Sequence, residues 1–169
     1  MRVLNRSLLS VAILTLSLNA WAKKEMLVIG GGGEPPGDKT MFDPTLARWA
    51  NFSEAANWDV TLVYDGEHPK SAALAKQIGK SKFSTATTAN ITKQIETLKR
   101  RILSGDLRSG DQVMINVLTH GNDQVSSDTH WVRALDGSFN MDRLKEVRDL
   151  AEKKGCLLYT SPSPRDLST

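Results

Sequence analysis

The chain has 169 residues, 40% of them hydrophobic and 24% charged, with a formal net charge of +3 and a single cysteine. That length suits one domain of ordinary globular composition, and one cysteine excludes an internal disulfide. Arg2 and Arg6 lie in a segment read below as a leader; without them the charge falls to about +1, too little to argue for nucleic acid or an anionic membrane as partner.

The chain opens "MRVLNRSLLSVAILTLSLNAWAKKEM". A basic start, an apolar run from Leu8 to Leu18 and small residues at Ala20 and Ala22 make the three-part pattern of a secretory signal peptide over residues 1–22. The apolar run falls short of the roughly 20 residues needed to span a bilayer, so no stable membrane insertion is expected after cleavage. The mature protein is expected to begin near Lys23 and to be exported, to the periplasm or beyond.

Strands and helices then alternate. "MLVIG", Met26 to Gly30, is a compact apolar run closed by glycines and reads as a buried strand. The loop "GGGEPPGD" follows, and Asp43-Pro44 reads as a cap with proline at the first helical position. Leu46, Trp49, Ala50 and Phe52 supply that helix with an apolar face. "DVTLVY", Asp59 to Tyr64, is the second strand, and a polar stretch leads from it to "NITKQIETLKRRILSG". There Asn90 is expected to cap a helix that Gly105 ends, with Ile91, Ile95, Leu98 and Ile102 forming one inward stripe. Lys99, Arg100 and Arg101 on it read as a solvated face. "DQVMINVLT", Asp111 to Thr119, is a third strand apolar enough to lie inside a sheet. Asn140 is expected to cap the last helix, with Leu144, Val147, Leu150 and Ala151 inward and Gly155 as the stop.

This order predicts an α/β fold, a parallel sheet sandwiched between helices in three layers. In such sheets ligands bind at the carboxyl ends of the strands. Three segments fall there: the glycine loop, "DGEHPK" after the second strand, and His120-Gly121 after the third. The glycine loop does not match a dinucleotide fingerprint. Counting G-x-G-x-x-G from Gly30 or Gly31 puts the third position on Pro35 or Pro36, and no Walker lysine follows. A substrate-side loop is the better reading. His120, Asp123 and Asp128 form no familiar metal-ligand spacing, so neither metal nor other cofactor is expected.

His120 stands out because it ends a buried strand and directly precedes a glycine. Glycine lets a substrate backbone come close, and its N–H is free to donate to a developing oxyanion. His68 and His130 lack that setting. "VLTHGN" resembles the His-Gly segment of the caspase and legumain (haemoglobinase) clan of cysteine peptidases, and the preceding order of elements is similar to theirs. The resemblance implies a caspase-like fold, a peptide or protein substrate, His120 as general acid/base and Gly121 as an oxyanion donor. It also implies a cysteine nucleophile closing the next parallel strand.

Cys156 does not suit that role. In caspases the histidine precedes the cysteine by about 50 residues, against 36 here, and Cys156 follows the last helix at once, leaving no room for a strand before it. "CLLYTSPSPRD", Cys156 to Asp166, resembles one reading frame of a transposase adapter used in sequencing libraries. The expectation is therefore an N-terminal fragment of an exported cysteine peptidase, inactive by itself, whose residues 156–169 carry no evolved contacts and whose third strand has an open outer edge. The alternative is a non-catalytic periplasmic α/β binding domain in which His120 is incidental.

Overall fold

A computed structural model describes residues 22–31, 42–65, 68–119, 121–122 and 131–160. The leader and most of the glycine loop lie outside these residues, as do His120, Asp123, Asp128 and His130. The order is β1 (Lys24–Gly30), α1 (Asp43–Ala55), β2 (Asp59–Tyr64), α2 (Pro69–Gly79), β3 (Phe83–Thr85), α3 (Thr88–Ser104) and β4 (Gln112–Leu118). Then come β5 (Gly121–Asn122), β6 (Trp131–Ala134), β7 (Gly137–Asn140), α4 (Asp142–Lys153) and β8 (Leu157–Thr160). Five strands form one parallel sheet in the order β3-β2-β1-β4-β8, and β5-β6-β7 form a small antiparallel sheet. The α/β class and parallel sheet are as expected.

Strand periodicity divides the core in two. On β1, Leu27 and Ile29 face one cluster, with Val63, Val113 and Ile115 of the neighbouring strands. Met26 and Val28 face the other, with Leu62 and Tyr64. The first cluster is closed by Ile91, Ile95, Leu98 and Ile102 of α3 and by Leu144, Val147 and Ala151 of α4. The second is closed by Leu46 of α1 and Ala75 of α2. Helices thus cover both faces, which is why β1 and β4 are apolar along nearly their whole length.

Two elements in the polar stretch after β2 escaped the sequence reading. The inward positions of α2 are Ser71, Ala75 and Gly79, small residues four apart that leave no apolar stripe to recognise. β3 is only three residues long. The β6–β7 hairpin escaped too, although Asp136-Gly137 is a hairpin dipeptide; it stands one residue late, the two turn residues being Leu135 and Asp136 and Gly137 opening β7.

Helix starts also differ from expectation. Thr87, not Asn90, caps α3: its hydroxyl accepts from the Asn90 N–H at 3.2 Å, while the Asn90 side chain turns back to Thr85. Asp136 in the hairpin turn accepts from the Thr88 N–H at 2.6 Å, so α3 has a second cap supplied from 48 residues away. The positive end of the helix favours that carboxylate, and the Thr88 N–H holds its pKa below the ordinary value. Asp43 is already inside α1 and no cap; its carboxylate accepts from Ser71 Oγ at 2.9 Å and Tyr64 Oη at 3.3 Å. Asn140 sits one residue before the cap position of α4 and accepts from the Asp142 N–H at 2.8 Å. Phe52 lies outward, 44% exposed, rather than on the inner face of α1. Arg101 is more than a solvated cation, since it reaches the buried Glu25 at 2.7 Å.

The largest departure is at the end of the chain. β8 follows Cys156 at once and pairs in parallel with β4, so β4 has a neighbour on both sides. Cys156 is 5% exposed within the first cluster, and Leu158 packs against it. Residues 156–160 therefore make contacts that the sequence reading denied them, and the open edge belongs to β8. Ending the chain after Gly155 would strip β4 of these partners. We expect that truncation to lower the unfolding free energy by more than about 1 kcal/mol, measured by urea denaturation; an unchanged midpoint would mean that β8 contributes nothing.

Candidate functional site at the carboxyl edge of the sheet

The chain lays β2 and then β3 on one side of β1, and crosses back to place β4 and β8 on the other. The direction of winding reverses between β1 and β4. Such a reversal opens a crevice at the carboxyl ends, the usual place for a ligand in an open α/β sheet. Gly31, where β1 gives way to the glycine loop, and Thr119, which follows β4, lie together at this edge.

The end of β1 admits no side chain. A Cβ on Gly30 would lie 2.6 Å from Leu118 O and 2.9 Å from the Tyr64 ring. Gly31 has φ +99°, and a Cβ there would lie 2.2 Å from Asp65 Cβ and 2.4 Å from Asp65 N. With nothing in the way, the Gly31 N–H donates to Leu118 O at 3.0 Å. Glycine is needed here for both conformation and close approach. These two residues bring the ends of β1, β2 and β4 together.

Thr119 Oγ1 lies 2.8 Å from Gly31 O and 3.0 Å from Arg133 O, tying the end of β4 to the start of the glycine loop and to the hairpin. Gly121 pairs with Val132 on that hairpin, whose far end is fixed where Leu135 N–H donates to Ala86 O at 2.9 Å. Of the proposed pair, Gly121 thus belongs to β5, while His120 lies outside the described residues, between two anchored neighbours. Asp65 closes β2 at the same edge and is 1% exposed. Beside it Tyr64 is buried, and burial together with the Asp43 carboxylate pushes its phenol far above the ordinary pKa, so it stays neutral. His68 precedes α2, and its Nδ1 is buried without a hydrogen-bond partner. Sequence reasoning had set His68 aside and gave Thr119 no role. A threonine next to a histidine carries no spacing signal that would mark it.

Cys156 lies at the other end of the molecule. Leu157 pairs with Gln112, so Cys156 is level with Asp111, where β4 begins. From Asp111 to Thr119 the strand rises roughly 26 Å at about 3.3 Å per residue, far beyond hydrogen-bond reach. The thiol donates to Arg108 O at 3.5 Å, and burial, with Asp111 nearby, pushes its pKa up. A buried thiol kept protonated is neither nucleophile nor ligand. A cavity of about 30 Å³ also lies away from the carboxyl edge, between the first residues of β1 and the Arg101 side of α3. It has room for one water. Among the described residues no cluster of histidine, cysteine and carboxylates could hold a metal, and no helix is long and apolar enough to cross a membrane.

No protein-family model matches this chain, and no curated protein matches it.

Two outcomes test this geometry. Gly31→Ala should cost about 3 kcal/mol, combining a disfavoured positive φ with a clash against backbone. Gly110→Ala, at φ +89° with nothing within 4 Å, should cost only about 1–2 kcal/mol. Equal losses in paired denaturation curves would refute the close approach. Separately, Cys156 in the native chain should react with a thiol reagent at pH 8 at least about tenfold more slowly than in urea. Fast native labelling would place the thiol at the surface.

Proposed function

We propose that this chain is the N-terminal part of an exported cysteine-type endopeptidase of the caspase- and legumain-like clan. The supporting observation is topological: β4 lies on one side of the winding reversal, runs directly into His120-Gly121, and pairs on its outer side with a further parallel strand. Adjacent parallel strands lie about 4.8 Å apart, so groups at their carboxyl ends can serve one substrate carbonyl. The leader pattern of residues 1–22 supports export.

In this reading His120 accepts the thiol proton and returns it to the leaving amine. The thiolate attacks the scissile carbonyl, and the Gly121 N–H donates to the oxyanion that forms. The acyl-enzyme is then hydrolysed by water. The loop after Gly31 borders the substrate. No metal or organic cofactor enters these steps.

In this reading the nucleophile belongs on the strand that pairs with the outer side of β4. Each β4 residue faces the β8 residue 45 positions later, Gln112 with Leu157 and Ile115 with Thr160. Counted along the sequence at that offset, Leu118 to His120 correspond to positions 163–165, which are Ser163, Pro164 and Arg165. The sequence carries no thiol at those positions, and in this reading the fragment is inactive. The test is to recover the uninterrupted gene. We expect its fifth parallel strand to end on cysteine within a few residues of position 164, and His120→Ala or replacement of that cysteine to abolish peptide hydrolysis without lowering the melting temperature. A strand without cysteine, or a His120→Ala protein that keeps full activity, would refute the peptidase reading and leave the binding-domain alternative.

A further inference from the structure

The hydroxyl of Thr119 joins separate parts of the fold at the carboxyl edge. It stands between two main-chain carbonyls from separate parts of the fold, Gly31 at 2.8 Å and Arg133 at 3.0 Å. A hydroxyl has one proton, so it either shares that proton in a three-centre bond or alternates between the two acceptors. In both cases it holds three chain segments in register: the end of β1, the end of β4 and strand β6. The Gly31 peptide is gripped from both sides, because its N–H already donates to Leu118 O. Immediately beyond, Gly121 is paired with Val132 on the same hairpin that offers the Arg133 carbonyl. The chain therefore enters His120 from one anchored residue and leaves it to another.

We infer that Thr119 is a positioning residue: its hydroxyl fixes the end of β4, the point from which the chain passes into His120-Gly121. The catalytic meaning of this inference rests on the peptidase reading above. The anchoring itself does not, since it follows from the two carbonyl contacts alone. The chemistry requires a hydroxyl here. Valine has the same shape and buries the same surface but leaves both carbonyls without this donor, and serine keeps the donor while losing only a methyl.

The experiment has two arms. In the chain itself, carbonyl carbon shifts of Gly31 and Arg133 are read by NMR in wild type, Thr119→Val and Thr119→Ser. Both carbonyls should move in the valine variant and stay near wild type in the serine variant, with exchange of the Gly31 amide at least about tenfold faster in valine. In the full-length protein, Thr119→Val should lower kcat by about 10–100-fold with KM little changed, as a displaced catalytic group does, and Thr119→Ser should restore most of it. Unchanged carbonyl shifts would overturn the anchoring. A valine variant with moved carbonyls but wild-type kcat would overturn the positioning role, and so would a serine variant as impaired as valine, since the methyl would then be what matters. Failure of the peptidase reading looks different, because the full-length protein would then hydrolyse no peptide, or His120→Ala would retain activity in the same background. Either result overturns a role for Thr119 in peptide hydrolysis, while the carbonyl shifts still decide the anchoring.

Discussion

The constraint on which the fold depends is the close approach of three strand ends around Gly30 and Gly31. β1 must lie between β2 and β4 with its last two residues pressed against Tyr64, Asp65 and Leu118, where no Cβ has room. Given that contact, the rest of the order follows from short, right-handed connections. The first two crossovers move to one side of β1 and place α1 and α2 on one face. The return to the other side of β1 places α3, and then α4, on the opposite face. The winding reversal at the carboxyl edge is a consequence of where two glycines permit the backbone to go.

The two ends of the sheet are built from different chemistry. At the amino end charges are neutralised against one another. Arg101 bridges Glu25 and Asp106, Lys23 also reaches Asp106, and Asp111 accepts from the backbone N–H groups of Lys23 and Arg108. The hydrogen bonds from Lys23 and Arg101 hold the Asp106 carboxyl down at about 2, so it stays charged through the neutral range. Lys23 and Asp106 are nearly half exposed, which makes that pair a weak brace; the better-shielded Arg101–Glu25 contact is what closes this end. The carboxyl end is joined mainly through neutral contacts between backbone, hydroxyl and glycine. That end receives the long loops.

The legible parts of this fold were those where one physical signal dominated. β1, β2 and β4 are continuous apolar runs because both their faces are covered. The α3 stripe of Ile91, Ile95, Leu98 and Ile102 is buried as its spacing implies. What could not be read is equally specific. α2 turns Ser71, Ala75 and Gly79 inward, so closeness of packing replaces apolar bulk and the periodic signal vanishes. The β6–β7 turn draws its fit from Asp136 reaching the start of α3, a contact no local pattern contains. At the site, the sequence singled out His120-Gly121 from its place after a strand. The role of Thr119 depends on two carbonyls, one 88 and one 14 residues away in the chain, whose proximity only the folded topology creates.

β8 shows why pairing alone says little about origin. A parallel interior strand such as β4 presents a full row of N–H and C=O groups on its outer side, and any apolar segment of suitable length can satisfy them. Helix α4 ends at Lys153 and the chain reverses through Gly155 at φ +74°, which delivers whatever follows to that edge. Leu157, Leu158 and Tyr159 are apolar or aromatic, so they suffice. Their fit is looser on one side: Leu158 packs inward, while Leu157 and Tyr159 remain 51% and 45% exposed, with Tyr159 meeting the ring of Trp58 edge-on at 6.5 Å. A strand covered on both faces would bury both sets, as β1 does. The position of β8 is therefore dictated by β4 and α4 rather than by its own sequence, and a segment resembling a translated adapter can occupy it.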